Sequence, residues 1–157
     1  MTIASPDATL ATERQLIESL TSLLRDEQRM LVEADTDGLA VLTPQKAECV
    51  RQLGEQAALR HQALGAAGVD ASEAGMEPWL AANGSPEARA SWEQLLEATR
   101  EAKELNRVNG MLINKHMAHN QQMLEALRTT AAGADTTMYG PGGEKIAGGP
   151  SRRFVLG

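Results

Sequence analysis

Aromatic side chains are nearly missing from this chain: its 157 residues hold two tryptophans, one tyrosine and one phenylalanine. β-Branched runs are scarce too, so little is available to fill a pleated sheet. Alanine, leucine, glutamate and glutamine take their place, and these lose little rotamer freedom in a helix. Cysteine occurs once, as Cys49. Disulfides are therefore not the staple of the fold, which suits a reducing compartment, and Cys49 beside Val50 reads as a buried thiol. No apolar stretch approaches the roughly 20 residues needed to cross a bilayer. The N-terminus lacks the basic segment and apolar run of a signal peptide. These absences imply a soluble, cytoplasmic protein with no membrane insertion. A net charge of −6 argues against nucleic acid or anionic lipid as partner. The acidity lies on the body, at −7, because the tail from Ala131 carries +1.

Catalytic patterns are missing as well. His116 and His119 are three apart and share a helix face, but the Glu-x-x-His pairs of di-metal bundles do not accompany them. No His/Cys cluster completes a metal site. Cys49 and His61 are not at one-face spacing, so no nucleophile–base pair is indicated. The glycines of the tail have no strand and helix around them to make a phosphate loop. The chain reads as a non-enzyme without cofactors.

What is present is helix. Ser85-Pro86-Glu87 is a cap, a first-turn proline and an acidic first turn. No proline follows for more than forty residues. A seam at alternating spacings of three and four runs from Trp92 through Leu95, Thr99, Ala102, Asn106, Asn109, Ile113, His116, Asn120 and Met123 to Leu127. Some 45 residues of helix span about 67 Å, against a diameter of roughly 40 Å for a compact globule of this length. Ser5-Pro6-Asp7 repeats the cap logic and predicts a first helix over about 6–34, with Leu10, Ile17, Leu20, Leu24 and Leu31 inward. Glu27 falls near that seam, at its edge or paired. Asp35 to Gly38 interrupts it, Leu39 to Leu42 make a short turn, and Thr43-Pro44 predicts a second helix over 44–65. On it Lys46, Glu48, Arg51, Glu55 and Arg60 face water. Met76, Trp79 and Leu80 pin the following connection to the bundle. The expected fold is all-α: an elongated antiparallel three-helix bundle over 1–132, its last helix (86–131) very long, followed by a flexible Gly-rich tail over 133–157.

Past about Gly110 the last helix outruns its expected partners, yet Leu112, Ile113, Met117, Met123, Leu124 and Leu127 keep it apolar. Leaving such side chains in water forfeits ~1.5–3 kcal/mol each. The stretch therefore wants a partner: a second copy, a folded-back N-terminus or a client. Asn106, Asn109, His116 and Asn120 on the seam are partner-specifying, satisfied in the core, or exposed. Half of the fourteen glycines lie in the last 27 residues, together with the only tyrosine and phenylalanine, Tyr139 and Phe154. Those aromatics either form a docking motif or lie back on the bundle.

The run Leu105-Asn106-Arg107-Val108-Asn109-Gly110, with Leu112, Ile113, Asn120 and Leu124 after it, resembles the flagellar type III export chaperone family FlgN. Tyr139-Gly140-Pro141-Gly142-Gly143, the leucine repeat ending in Glu27, the Asp37–Leu42 interruption and Lys46 add to the match. The resemblance implies a cytoplasmic chaperone that binds the C-terminal amphipathic segments of the hook-associated proteins FlgK and FlgL. It implies delivery to the export gate protein FlhA through Tyr139, with Gly140 and Pro141 in the docking turn. Client contacts carry over to the helix face of Leu105, Asn106, Asn109, Leu112, Ile113, Met117, Asn120, Met123, Leu124 and Leu127. The rival reading from the residues alone is a structural coiled-coil homodimer or adaptor.

Overall fold

A computed structural model describes residues 4–135, 137–139 and 145–147, with side chains as far as Gly133. Four helices account for most of it: α1 (Leu10–Glu33), α2 (Thr36–Ala66), α3 (Met76–Asn83) and α4 (Pro86–Asp135). The fold is all-α, a three-helix bundle with a very long last helix. Two three-residue strands follow, β1 (Thr137–Tyr139) and β2 (Lys145–Ala147), paired antiparallel with Met138 opposite Ile146. The remainder of the expected flexible tail, including Gly140, Pro141 and Phe154, lies outside the described residues.

The cap at the start of α4 forms as its sequence predicts. Ser85 Oγ accepts from the Ala88 N–H at 3.1 Å, and the helix then runs 50 residues, four beyond the expected end. The first cap fails. Ser5 to Thr9 form turns closed by the Ala8 N–H on Ser5 O and the Leu10 N–H on Asp7 O. α1 begins only at Leu10, with Thr9 before it: the Thr9 carbonyl accepts from the Glu13 N–H, while its hydroxyl donates to Glu13 Oε1 at 2.7 Å and caps no backbone.

Only Ala34 and Asp35 separate α1 from α2. The Ala34 N–H reaches Leu31 O and the Asp35 N–H reaches Met30 O, which closes the first helix. Asp35 Oδ1 then accepts from the Gly38 N–H at 2.9 Å and opens the second. The second helix therefore starts eight residues before the predicted Pro44, and the expected turn over Leu39–Leu42 is part of it. Pro44 sits inside the helix, and its missing N–H leaves the Ala40 carbonyl without an intrahelical donor. Both residues are exposed, so that carbonyl is on the solvent side of the helix, while Leu42 is buried and holds the turn against the bundle.

Ala34 closes α1 at φ 57°, the only non-glycine positive φ among the described residues. That conformation costs an L-residue about 1–2 kcal/mol. Glycine recovers it but returns roughly 0.5–1 kcal/mol through its looser unfolded chain. Ala34→Gly is therefore expected to stabilise the fold by about 0.5–1 kcal/mol, read as a higher urea midpoint at unchanged slope.

Cross-helix bonds fix the helix directions. Lys46 meets Glu27, Cys49 meets Leu16 and Arg60 meets Glu13, so α2 runs antiparallel to α1. Arg14 meets Gln94, Arg25 meets Glu101 and Asn109 meets Leu24, so α4 runs parallel to α1. α3 makes the return possible. Its Met76, Trp79 and Leu80 join Leu10 and Ile17 of α1, Leu64 of α2, and Trp92 and Leu95 of α4 in one core cluster. The connection is pinned by the three residues expected to pin it. The chain divides into two compact units, Met1–Ile113 and Asn114–Gly157.

Candidate functional site

Two polar clusters hold the first unit together, and they set what is left for partners. In one, Glu27 of α1 is buried and accepts from Lys46 Nζ of α2 at 2.7 Å and from Asn109 Nδ2 of α4 at 2.9 Å. The same amide nitrogen donates to Leu24 O at 2.8 Å. Glu27 is thus paired. Asn109 is 0 % exposed and is a core group spent on the bundle, although its Oδ1 has no donor. Leu105 is half-buried beside it, while Asn106 is exposed.

The second cluster corrects the placement of Arg60. Expected to face water, it is 2 % exposed. Its Nε and Nη2 donate to the two Glu13 oxygens at 2.9 and 3.0 Å, and Nη2 also reaches Glu73 Oε1 at 2.7 Å. The guanidinium lies over the Trp92 ring, 4.9 Å from its centroid. Burial pushes the Glu73 carboxyl up, but hydrogen bonds from Arg60 and His61 outweigh it and hold it below the usual carboxylate range. A sequence signal for this cluster exists. Glu13 and Glu27 lie fourteen residues apart on the inward seam of α1, and Lys46 and Arg60 lie fourteen apart on α2. Antiparallel helices at that matched spacing pair both charges at once.

Cys49 is buried and free, its Sγ 3.2 Å from Leu16 O, and burial pushes its thiol pKa up. Among the described residues no group of three or more His, Cys, Asp or Glu side chains is arranged to hold a metal ion. No helix among them is long and apolar enough to cross a membrane.

α2 and α4 meet where Arg60 lies over Trp92 and in the core around Leu64, but they are not closed along their whole length. Among the described residues α4 hydrogen-bonds across to α1 and α3 and not to α2. A groove of about 610 Å³ results, with Val50, Leu53 and Ala57 on one wall and Leu95 and Leu96 on the other. A second hollow of about 310 Å³ continues it toward Lys46 and Asn106 and shares Ile17, Val50, Thr99 and Lys103 with the first. Arg60 Nη1 and Trp92 Nε1, both on residues lining this groove, are buried without an acceptor. Each such donor costs about 1–3 kcal/mol while unmet.

The second surface is the continuation of α4. From Asn114 to Gly133 every residue except the half-buried His116 is exposed. Met117 is 57 % exposed, and Leu124 and Leu127 are both 62 % exposed. Ile113, Met117, Asn120, Leu124 and Leu127 recur at spacings of four and three, so they share one helix face. Met123 is also exposed and Leu112 is half-buried. An apolar stripe of this kind on a folded chain marks an interaction surface. Tyr139 is the last residue of β1; Gly140 and Pro141, its expected companions, lie outside the described residues.

Comparison with known proteins agrees with the helical resemblance. The FlgN protein family matches residues 1–145. The flagella synthesis protein FlgN of Proteus mirabilis is 29% identical over 138 residues, covering 87% of this chain and 86% of its own. That of Yersinia enterocolitica is 24% identical over 147 residues, covering 91% and 90%. No solved structure matches the chain.

Proposed function

The chain belongs to the FlgN family, and on that premise we propose that it is a cytoplasmic export chaperone for hook-associated proteins. The coarser role, in flagella synthesis, follows from the family and its relatives. That family is one of flagella synthesis proteins and is not known for catalysis. The observation that carries the finer reading is the exposed apolar face of α4 from Ile113 to Leu127. The clients are the C-terminal amphipathic segments of FlgK and FlgL, which would otherwise assemble early. A client helix laid along this face buries side chains worth ~1.5–3 kcal/mol each. The ordering cost of the client segment keeps the net affinity modest, which suits handover. Methionines at 117 and 123 give the face a surface that adapts to more than one client.

Delivery runs through FlhA at the export gate, with Tyr139, Gly140 and Pro141 as the docking turn. Calorimetry of the chain against the isolated C-terminal segments of FlgK and FlgL tests the first half; absence of binding to both overturns it. Tyr139→Ala is expected to leave client affinity unchanged and to weaken the ternary complex with the FlhA cytoplasmic domain. If that complex survives intact, the anchor lies elsewhere. Light scattering over a concentration series separates the rival: a tight dimer indifferent to client is a structural coiled coil.

A further inference from the structure

We infer that the groove between α2 and α4 is a second seat, for one amphipathic helix of the exported client that carries a glutamate or glutamine on its apolar face. The inference rests on the chaperone reading above but on different residues and a different unit of the chain.

The occupant follows from the walls. From Trp92 to Asn106 the two hollows follow fifteen residues of α4, about 21 Å of helix, which matches an incoming helix of about four turns. The lining is mostly apolar, interrupted by Glu13, Arg60, Glu73 and Lys103, and Val50 stays half exposed on the rim. An extended peptide would need a sheet edge to satisfy its backbone, and neither α2 nor α4 has one. A helix satisfies its own backbone and presents only side chains. Gly54 faces the groove, and a Cβ there meets nothing within 4 Å, so one turn of α2 is thin enough for close approach.

The polar demand of the site selects the side chain. Arg60 Nη1 and Trp92 Nε1 are both donors and both lack an acceptor. Lys103, on the α4 wall where the two hollows meet, has no ion-pair partner among the described residues. The carboxylates in the lining, Glu13 and Glu73, are already bonded to Arg60, so the unmet groups are donors alone and their complement is a carboxylate or amide oxygen. The two donors are buried on residues that line the groove, so an acceptor from the occupant reaches them only if its helix seats between α2 and α4 and the lining gives way around it. Three helices plus the client's make a four-helix bundle, with the occupant filling the side where α2 and α4 share no hydrogen bond among the described residues.

The test uses the full chain and the isolated FlgK and FlgL C-terminal segments as probes. Gly54→Phe fills the groove from within at a site where added atoms meet open space, and its helical circular dichroism and thermal midpoint verify folding. It is expected to weaken segment binding about tenfold or more. Lys103→Glu is expected to weaken it in the same direction. The chain has two indole N–H groups, so an ¹⁵N spectrum supplies an independent readout. On adding the segment the Trp92 indole resonance moves and the Trp79 resonance, in the core, stays. Binding unchanged in Gly54→Phe, with a Trp92 resonance that does not respond, overturns the groove and leaves the chaperone reading standing. A segment that fails to bind the unmodified chain overturns both.

Discussion

Arg60→Met is expected to be the most destabilising single substitution in the bundle, at about 3–5 kcal/mol. The cost does not come from losing a surface ion pair, which is worth little. It comes from stranding the Glu13 carboxylate, which is 3 % exposed and retains only the Thr9 hydroxyl as a donor. Trp92 loses the cation over its ring as well. Since whole domains are stable by about 5–15 kcal/mol, the urea midpoint should fall by roughly a fifth or more. The double variant Glu13→Leu with Arg60→Met removes the stranded charge and is expected to recover most of the loss, as apolar replacements of buried pairs do. If the double variant is as unstable as the single one, the cluster acts through packing and not charge. Acid adds a second check. Glu73 has a lowered native pKa, so its contribution is present above the ordinary carboxylate pKa and disappears as pH falls through the native one. Arg60→Met removes the main partner and should flatten that acid-side slope.

That cluster also shows how far the amino-acid order alone reaches. Signals that are local were legible. Ser85-Pro86 caps α4 as written, because both its groups act within one turn, and the long seam after it announced a helix longer than its domain. The same letters misled at Ser5-Pro6 and Thr43-Pro44. At Thr43-Pro44 the helix is already under way, because Asp35 caps it first; at Ser5-Pro6 the chain turns through Thr9 before the helix begins. Arg60 was unreadable one residue at a time, since a lone arginine on a helix is usually solvated. It becomes readable only when Glu13 and Glu27 on α1 are set against Lys46 and Arg60 on α2 at equal spacing. Asn109 shows the same limit from the other side. Its seam position was evident, yet whether it faced a partner or the core depended on Glu27, 82 residues away. The groove lay beyond reach altogether, for it depends on α4 meeting α2 only through Arg60 over Trp92 and the core around Leu64, with no hydrogen bond between the two helices among the described residues.

Leu124→Asp with Leu127→Asp is expected to abolish client binding while leaving the fold intact. Both side chains are largely exposed in the free chain, so their loss should move stability by no more than about 0.5 kcal/mol each. In a complex with a client helix the same two side chains would be buried, and removing them forfeits ~1.5–3 kcal/mol apiece. That sum alone weakens binding by roughly two orders of magnitude or more. Aspartate adds the desolvation of two charges in an apolar contact, so the double aspartate variant should fall well below the double alanine variant. A ranking of wild type, then alanine, then aspartate, at constant thermal midpoint, is the signature of a buried apolar contact. Equal affinity across the three places the client elsewhere on the chain and removes the α4 face from the mechanism. A different pattern would favour the rival architecture: a dimer that dissociates in the aspartate variant while the FlgK and FlgL segments bind neither form. The groove gives these variants a further use, because Gly54 and Leu124 lie in separate units of the chain. If one client spans both surfaces, Gly54→Phe and the double aspartate change should add in free energy, as independent sites do. If the two surfaces take alternative clients, each variant should discriminate between FlgK and FlgL.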